Sequence, residues 1–185
     1  MSSYADDLLA AALRLLGRKS GQRGKLAGAR VRRSISTTYY ALFHFLLEEV
    51  GLRIVGSHND LRRRRRILAR TISHKGLATT LDKVRGLSVN ASIEEFFLLS
   101  NAAPPVASPP FVRELAKAFL DAQAKRHDAD YDMNKPLSET DARLLRSRVR
   151  SAIKGWRAAR SASDKDFKNA LCVLILLRGQ LRSES

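Results

Sequence analysis

The sequence predicts an all-α protein, an antiparallel up-and-down bundle of four to five long helices with short extra helices and a C-terminal helix. Three observations carry that expectation. Serine followed three positions on by a carboxylate recurs ahead of apolar stretches, the pattern of a capping box that opens a helix. Within those stretches the apolar residues fall at helical spacing. No hairpin dipeptide and no sustained alternation of apolar and polar residues gives a strand any positive signal.

Taken in order, Ser3 with Asp6 opens a first helix, Leu8, Leu9, Ala12, Leu15 and Leu16 form its stripe, and Gly17 stops it. After a glycine-rich basic linker from Arg18 to Gly24, a longer helix is expected from about Leu26 to Val50, with Val31, Ile35, Leu42 and Leu46 on one face and Gly51 closing it. Ser57 and Asp60 read as the cap of a third helix carrying Leu61, Leu68 and Ile72. Short helices are expected at 77–86 and 92–100, the second opened by Ser92 and Glu95.

The stretch from Pro104 to Pro110 breaks any helix, because proline lacks the amide donor and restricts the residue before it. Pro109 or Pro110 then begins a helix behind Ser108, with Val112, Leu115, Phe119 and Ala122 on one face. A loop follows from about Asp130 to Leu137. Ser138 and Asp141 open a helix with the most regular stripe of the chain, Ala142, Leu145, Val149, Ile153 and Trp156. Ser163 and Asp166 open the last, through Phe167, Leu171 and Leu174. Residues 1–160 thus read as one bundle, and 161–185 as a C-terminal helix packing on it or on a dimer mate.

A chain of 185 residues is long enough to bury a core without disulfides or a structural metal. A single cysteine, Cys172 in an apolar run, excludes disulfide frameworks and cysteine-based zinc sites. No cofactor or metal is expected. The apolar run ending at Leu177 is too short to span a bilayer, and Asp6 and Asp7 stand where a signal peptide carries lysines, so a cytoplasmic protein with no membrane partner is expected.

Against 18 Asp plus Glu the chain carries 34 Lys plus Arg, a formal net charge of +16. That excess attracts polyanions: nucleic acid through its phosphates, or an acidic protein. Arg62, Arg63, Arg64, Arg65 and Arg66 run consecutively on the expected third helix, and at about 100° per residue they go right round the cylinder. Arg64 and Arg65 therefore interrupt the apolar stripe and need water, a carboxylate or a phosphate. The run reads either as an electrostatic stripe for nucleic acid or as a solvated helix face.

The glycines before Lys25 do not have phosphate-loop spacing, and Leu26 stands where Ser or Thr is required. Four histidines remain, His44, His58, His74 and His127. His58 and His74 lie near helix ends. His44 belongs to a ridge of hydrogen-bonding side chains on the second helix, Arg33, Thr37, Tyr40 and His44, spaced by four, three and four residues. Arg126 continues the apolar face of Phe119 and Ala122, so its guanidinium requires Asp128, Asp130, another carboxylate or a phosphate.

The strings Tyr39-Tyr40-Ala41-Leu42-Phe43-His44 and Arg126-His127-Asp128-Ala129-Asp130-Tyr131 together resemble the HEPN family, the higher eukaryotes and prokaryotes nucleotide-binding helical bundles. The resemblance implies a helical bundle that homodimerises. Many members are RNases of toxin-antitoxin or other defence systems, often encoded beside a minimal nucleotidyltransferase. In the nuclease members an arginine, a short spacer and a histidine meet their dimer copies in one cleft. Arg126 matches the arginine, while Tyr131, Asp132 and Met133 stand where the histidine belongs, as in the branch with tyrosine after Ala-Asp.

The expected function is accordingly RNA or nucleotide binding in a basic cleft, with weak or no RNase activity. Arg126, Tyr131, Asp130, Arg33 and Tyr40 would form the site, and Arg62 to Arg66 would supply long-range attraction. One alternative is an active, metal-independent RNase toxin using Arg126 with His127 or His44. Another is a non-catalytic partner of a minimal nucleotidyltransferase.

Overall fold

A computed structural model describes residues 3–17, 25–99 and 103–177 of the chain. The linker from Arg18 to Gly24 lies outside the described residues. Among those described there are eight α-helices and no strand: α1 (Tyr4–Leu16), α2 (Lys25–Ile54), α3 (Arg62–Ala69), α4 (His74–Val84), α5 (Ala91–Leu99), α6 (Pro110–Tyr131), α7 (Glu139–Ala158) and α8 (Ala162–Leu176). The protein is all-α. None of these helices is long and apolar enough to cross a membrane.

Two compact units divide the chain, one of Met1–Phe45 with Ala118–Lys154, the other of Leu46–Lys117 with Gly155–Ser185. In the first, the Ser3–Asp6 capping box opens α1, and Ala5, Leu9, Ala12 and Leu16 are its buried face. Ser34 Oγ on α2 donates to the Ala12 carbonyl at 2.8 Å, and Arg146 Nε on α7 donates to that of Leu9 at 2.7 Å. Ile35 and Leu42 from α2, Phe119 and Ala122 from α6, and Ala142, Leu145 and Val149 from α7 are buried as their spacing predicts, whereas Val31 is only half-buried and Tyr39, outside the expected stripe, is fully buried. The Tyr39 and Phe119 rings meet at 5.5 Å. Ser138 and Asp141 exchange the hydrogen bonds of a capping box, Ser138 N to Asp141 Oδ2 and Asp141 N to Ser138 Oγ, both at 3.0 Å.

The second unit corrects several boundaries. Gly51 does not close α2. The helix runs on to Ile54, and buried Gly51 instead makes room for the Arg65 side chain, which a β-carbon there would meet at 3.3 Å. The turn falls at Gly56, whose φ of 106° suits glycine alone. Ser57 and Asp60 form no cap: a 3-10 turn at Asn59–Leu61 leads into α3, which starts without a side-chain cap.

Ser73 Oγ accepts from Gly76 N at 3.0 Å and opens α4 earlier than expected. Asn90 Oδ1 accepts from Ser92 N at 3.0 Å, which places Ser92 inside α5 rather than before it. Ser108 is buried and does not cap α6. Its amide donates to the Leu87 carbonyl at 2.9 Å, anchoring the proline-rich segment.

The capping box of α8 is Ser161 with Asp164, two residues ahead of Ser163 and Asp166. Both serines have an aspartate three positions on, and the earlier frame extends the helix by half a turn. In this unit α8 packs against α4 and α5, with the Phe97 and Phe167 rings 6.4 Å apart. Lys168 is buried on α8. Its Nζ donates to the Trp156 carbonyl at 2.7 Å and to that of Ala159, and lies 5.2 Å from the Phe111 and Trp156 rings. One ammonium thereby satisfies carbonyls that the end of α7 leaves open. Cys172 is enclosed nearby in sequence, and burial pushes its thiol up to about 12.

Candidate functional site

Arg126 and the polar ridge of α2 come together in the first unit. α6 presents Arg126 toward α2 because it continues the buried face of Phe119 and Ala122. Its guanidinium Nε lies 2.8 Å from Asp130 Oδ2, an ion pair rather than a well-aligned hydrogen bond, with the two side chains 20% and 28% exposed. Nη2 donates to Tyr40 Oη at 3.4 Å. Three rings surround the cation, those of Tyr39, Tyr40 and Tyr131, at 5.7, 5.6 and 5.6 Å. Desolvation opposes its charge, but Tyr40, Asp130 and Tyr131 together outweigh that and hold the pKa above its ordinary value. Burial drives Tyr39 up in the same cluster.

Asp130, not Asp128, is the carboxylate on Arg126. Its other oxygen, Oδ1, accepts from Ser36 Oγ on α2. Asp128 pairs instead with Lys135 at 3.4 Å. The junction is tied further by Arg32, which the sequence reading passed over. Its Nη1 donates to the carbonyls of Asp128 and Ala129 at 3.1 Å and Asp132 at 2.8 Å, and its Nη2 to those of Met133 at 3.1 Å and Lys135 at 2.8 Å. A guanidinium placed there adds a donor to carbonyls at and just beyond the end of α6, of which those of Asp128 and Asp132 also accept backbone amides, and complements the helix dipole.

On the other side of Tyr40 lies a pocket of about 210 Å³ lined by Tyr4, Leu8, Arg33, Ser36, Thr37, Tyr40 and His44. It gathers the whole ridge of α2 against the first turns of α1. Tyr4 and His44 meet edge to face with ring centroids 5.1 Å apart. Burial holds the His44 imidazole below its usual value. Thr37 Oγ1 donates back to the Arg33 carbonyl at 2.7 Å, and Ser36 Oγ also contacts that of Arg32 at 3.2 Å. Ser36 and Tyr40 therefore face the pocket while touching Asp130 and Arg126.

His127 takes a different direction. α6 continues to Tyr131, so adjacent residues 126 and 127 leave the helix about 100° apart. His127 is exposed, with its ring 5.0 Å from that of Tyr131. Tyr131 is 65% exposed.

Arg62 to Arg66 belong to the second unit. Arg62, Arg63, Arg64 and Arg66 are exposed, and none of the ion pairs among the described residues involves them. Arg65 is half-buried and donates to the carbonyls of Gly56 at 2.6 Å and His58 at 2.9 Å, so it serves the fold. Among the described residues no three His, Cys, Asp or Glu side chains converge as metal ligands.

Tyr4, Leu8 and Ser36 were not singled out as site residues from sequence. Ser36 had a signal, four residues before Tyr40 and four after Arg32 on one helix face. No family model, curated protein or solved structure matches this chain.

Proposed function

We propose that this protein is a HEPN-like helical bundle that binds RNA or a nucleotide through the first unit, with weak or no RNase activity. One observation carries the reading: Arg33, Tyr40 and His44 share a pocket whose wall also contacts the Arg126–Asp130 pair. Arg33 is exposed, with no hydrogen bond or ion pair of its side chain among the described residues. It is the accessible cation of the pocket. Arg126 supplies a second positive group, able to exchange the Asp130 carboxylate for a phosphate because a guanidinium accepts either oxyanion. Tyr131 offers an exposed ring on which a base can stack. The exposed arginines of α3 add attraction that requires no base contact.

An antiparallel arrangement of the long helices belongs to the same reading. Contacts of Tyr4 with His44 and of Ala12 with Ser34 are those of oppositely directed neighbours, as are those of Arg32 with Asp128 and of Tyr39 with Phe119. We also take the protein to homodimerise, with the exposed Tyr131 and Met133 beyond Arg126 as large apolar groups available to a mate.

Weak or absent cleavage follows from the chemistry. Opening an RNA phosphodiester needs a base for the 2′-hydroxyl and an acid for the leaving oxygen, yet His127 points away from the ridge and Tyr131 stands at the first of the positions where the motif histidine belongs. The alternative, an active RNase, rests on His44, which shares Tyr40 as a neighbour with Arg126. Incubation of end-labelled RNA of mixed sequence with the protein in EDTA separates the two. Binding without new products is expected. Cleavage that disappears in Arg126→Ala or His44→Gln would replace the binding reading with the nuclease one.

A further inference from the structure

We infer that the pocket between α1 and α2 is a subsite for a terminal phosphate monoester, either that of a free nucleotide or that at the end of an RNA strand. The inference rests on the proposed function for the identity of the ligand's remainder, but its chemistry is set by the pocket itself.

Size comes first. Pockets that enclose a drug-sized ligand run to about 300–1,000 Å³, so a pocket of about 210 Å³ is too small for a whole nucleotide and large enough for a phosphate group. The base and sugar would remain outside. Charge comes next. Arg33 brings a guanidinium without an ion-pair partner among the described residues, and Asp130, the carboxylate that touches the wall through Ser36, is paired with Arg126. Thus the pocket keeps an uncompensated positive group.

Few donors of the pocket remain free for an anion. The Ser36 and Thr37 hydroxyls already serve backbone carbonyls and Asp130, which leaves the Arg33 fork and the His44 imidazole, with Tyr40 polarised by Arg126, to meet an anion. Tyr4 and Leu8 close the opposite side with carbon. A charged fork with a neutral imidazole N–H beside it suits a monoester, which carries a charge of about −1.5 to −2 near neutral pH and three terminal oxygens to accept from both. A diester inside a strand offers a single charge and two such oxygens, and would have to bring both its sugars to the mouth.

The test compares one short RNA, labelled at its 3′ end, with either a 5′-phosphate or a 5′-hydroxyl, with adenosine 5′-monophosphate and inorganic phosphate as small probes. Binding is read by anisotropy and calorimetry on the full chain and on Arg33→Ala and His44→Gln, both checked by circular dichroism. The expected result is about tenfold tighter binding of the phosphorylated RNA, a preference erased in Arg33→Ala and reduced in His44→Gln. The monophosphate would compete.

Equal binding of both RNAs, unchanged in Arg33→Ala, overturns the subsite while leaving RNA binding intact. Arg33-dependent binding of the small probes without RNA binding keeps the subsite and removes RNA as the ligand. Binding of none of the probes overturns both.

Discussion

At Arg126 the chain surrounds a guanidinium with one carboxylate, one phenol oxygen and three aromatic faces. Each contact is modest, since a cation over a ring contributes about 0.5–2 kcal/mol. Removing the group also leaves Asp130 without its ion pair. Arg126→Ala is therefore expected to cost about 1–3 kcal/mol by urea denaturation, with Arg126→Lys recovering only part because an ammonium lacks the planar fork.

His44 gives a pH prediction with a definite sign. Burial lowers its folded pKa below the ordinary 6.5, so between those two values the unfolded chain binds more protons than the folded one. Its stabilising contribution is complete above 6.5 and is lost as pH falls toward the folded value. His44→Gln should flatten the fall of Tm with acidification across that window, and an unchanged slope would show that the histidine titrates alike in both states.

At the scale of elements, Arg32 on α2 ties down the last turn of α6 and the segment just after it through five carbonyls, two in the helix and three beyond Tyr131. Arg32→Ala should destabilise by about 2 kcal/mol, the range for hydrogen bonds from a charged donor, and hydrogen exchange should quicken at residues 128–135 before anywhere else. Gly56→Ala meets a φ of 106° and Leu61 Cδ1 at 3.2 Å, and is expected to cost about 1–2 kcal/mol in the same assay.

The same elements show what could be read in advance. The stripe Ala142, Leu145, Val149, Ile153 and Trp156 is buried throughout because helical spacing alone selects a face. Capping boxes at Ser3 and Ser138 were legible because both partners lie within four residues. Gly51 misled, since a glycine at the end of an apolar stripe looks like a stop when the side chain that needs its space, Arg65, lies on another helix. Arg32 was invisible for a related reason: its carbonyls lie about a hundred residues away, and no local pattern announces them. At the candidate site the ridge of Arg33, Thr37, Tyr40 and His44 was legible from spacing. The choice of Asp130 over Asp128 for Arg126 needed the helix geometry, because both carboxylates lie within a turn.

Across the whole molecule the net charge of +16 sets how association responds to salt. Each phosphate neutralised releases condensed counterions, so affinity for a single strand falls with a logarithmic slope of about −0.7 per contact. A site built on Arg33 and Arg126, assisted by the exposed arginines of α3, predicts several such contacts and at least a tenfold loss of affinity between about 50 and 200 mM salt. Charge reversal at Arg62 and Arg63 should lower affinity for every RNA sequence alike and make the slope shallower, whereas Tyr131→Ala should weaken binding with the slope unchanged, because stacking releases no ions.

The most direct measurement is the binding of mixed-sequence RNA, in EDTA, at those two salt concentrations by the full chain and by Arg33→Ala. Intact RNA is expected, with binding that weakens steeply with salt, and a variant that folds normally but binds several-fold less tightly with a shallower slope. RNA that fails to bind even at low salt, or binds the variant as tightly as the natural chain, would contradict the proposed function.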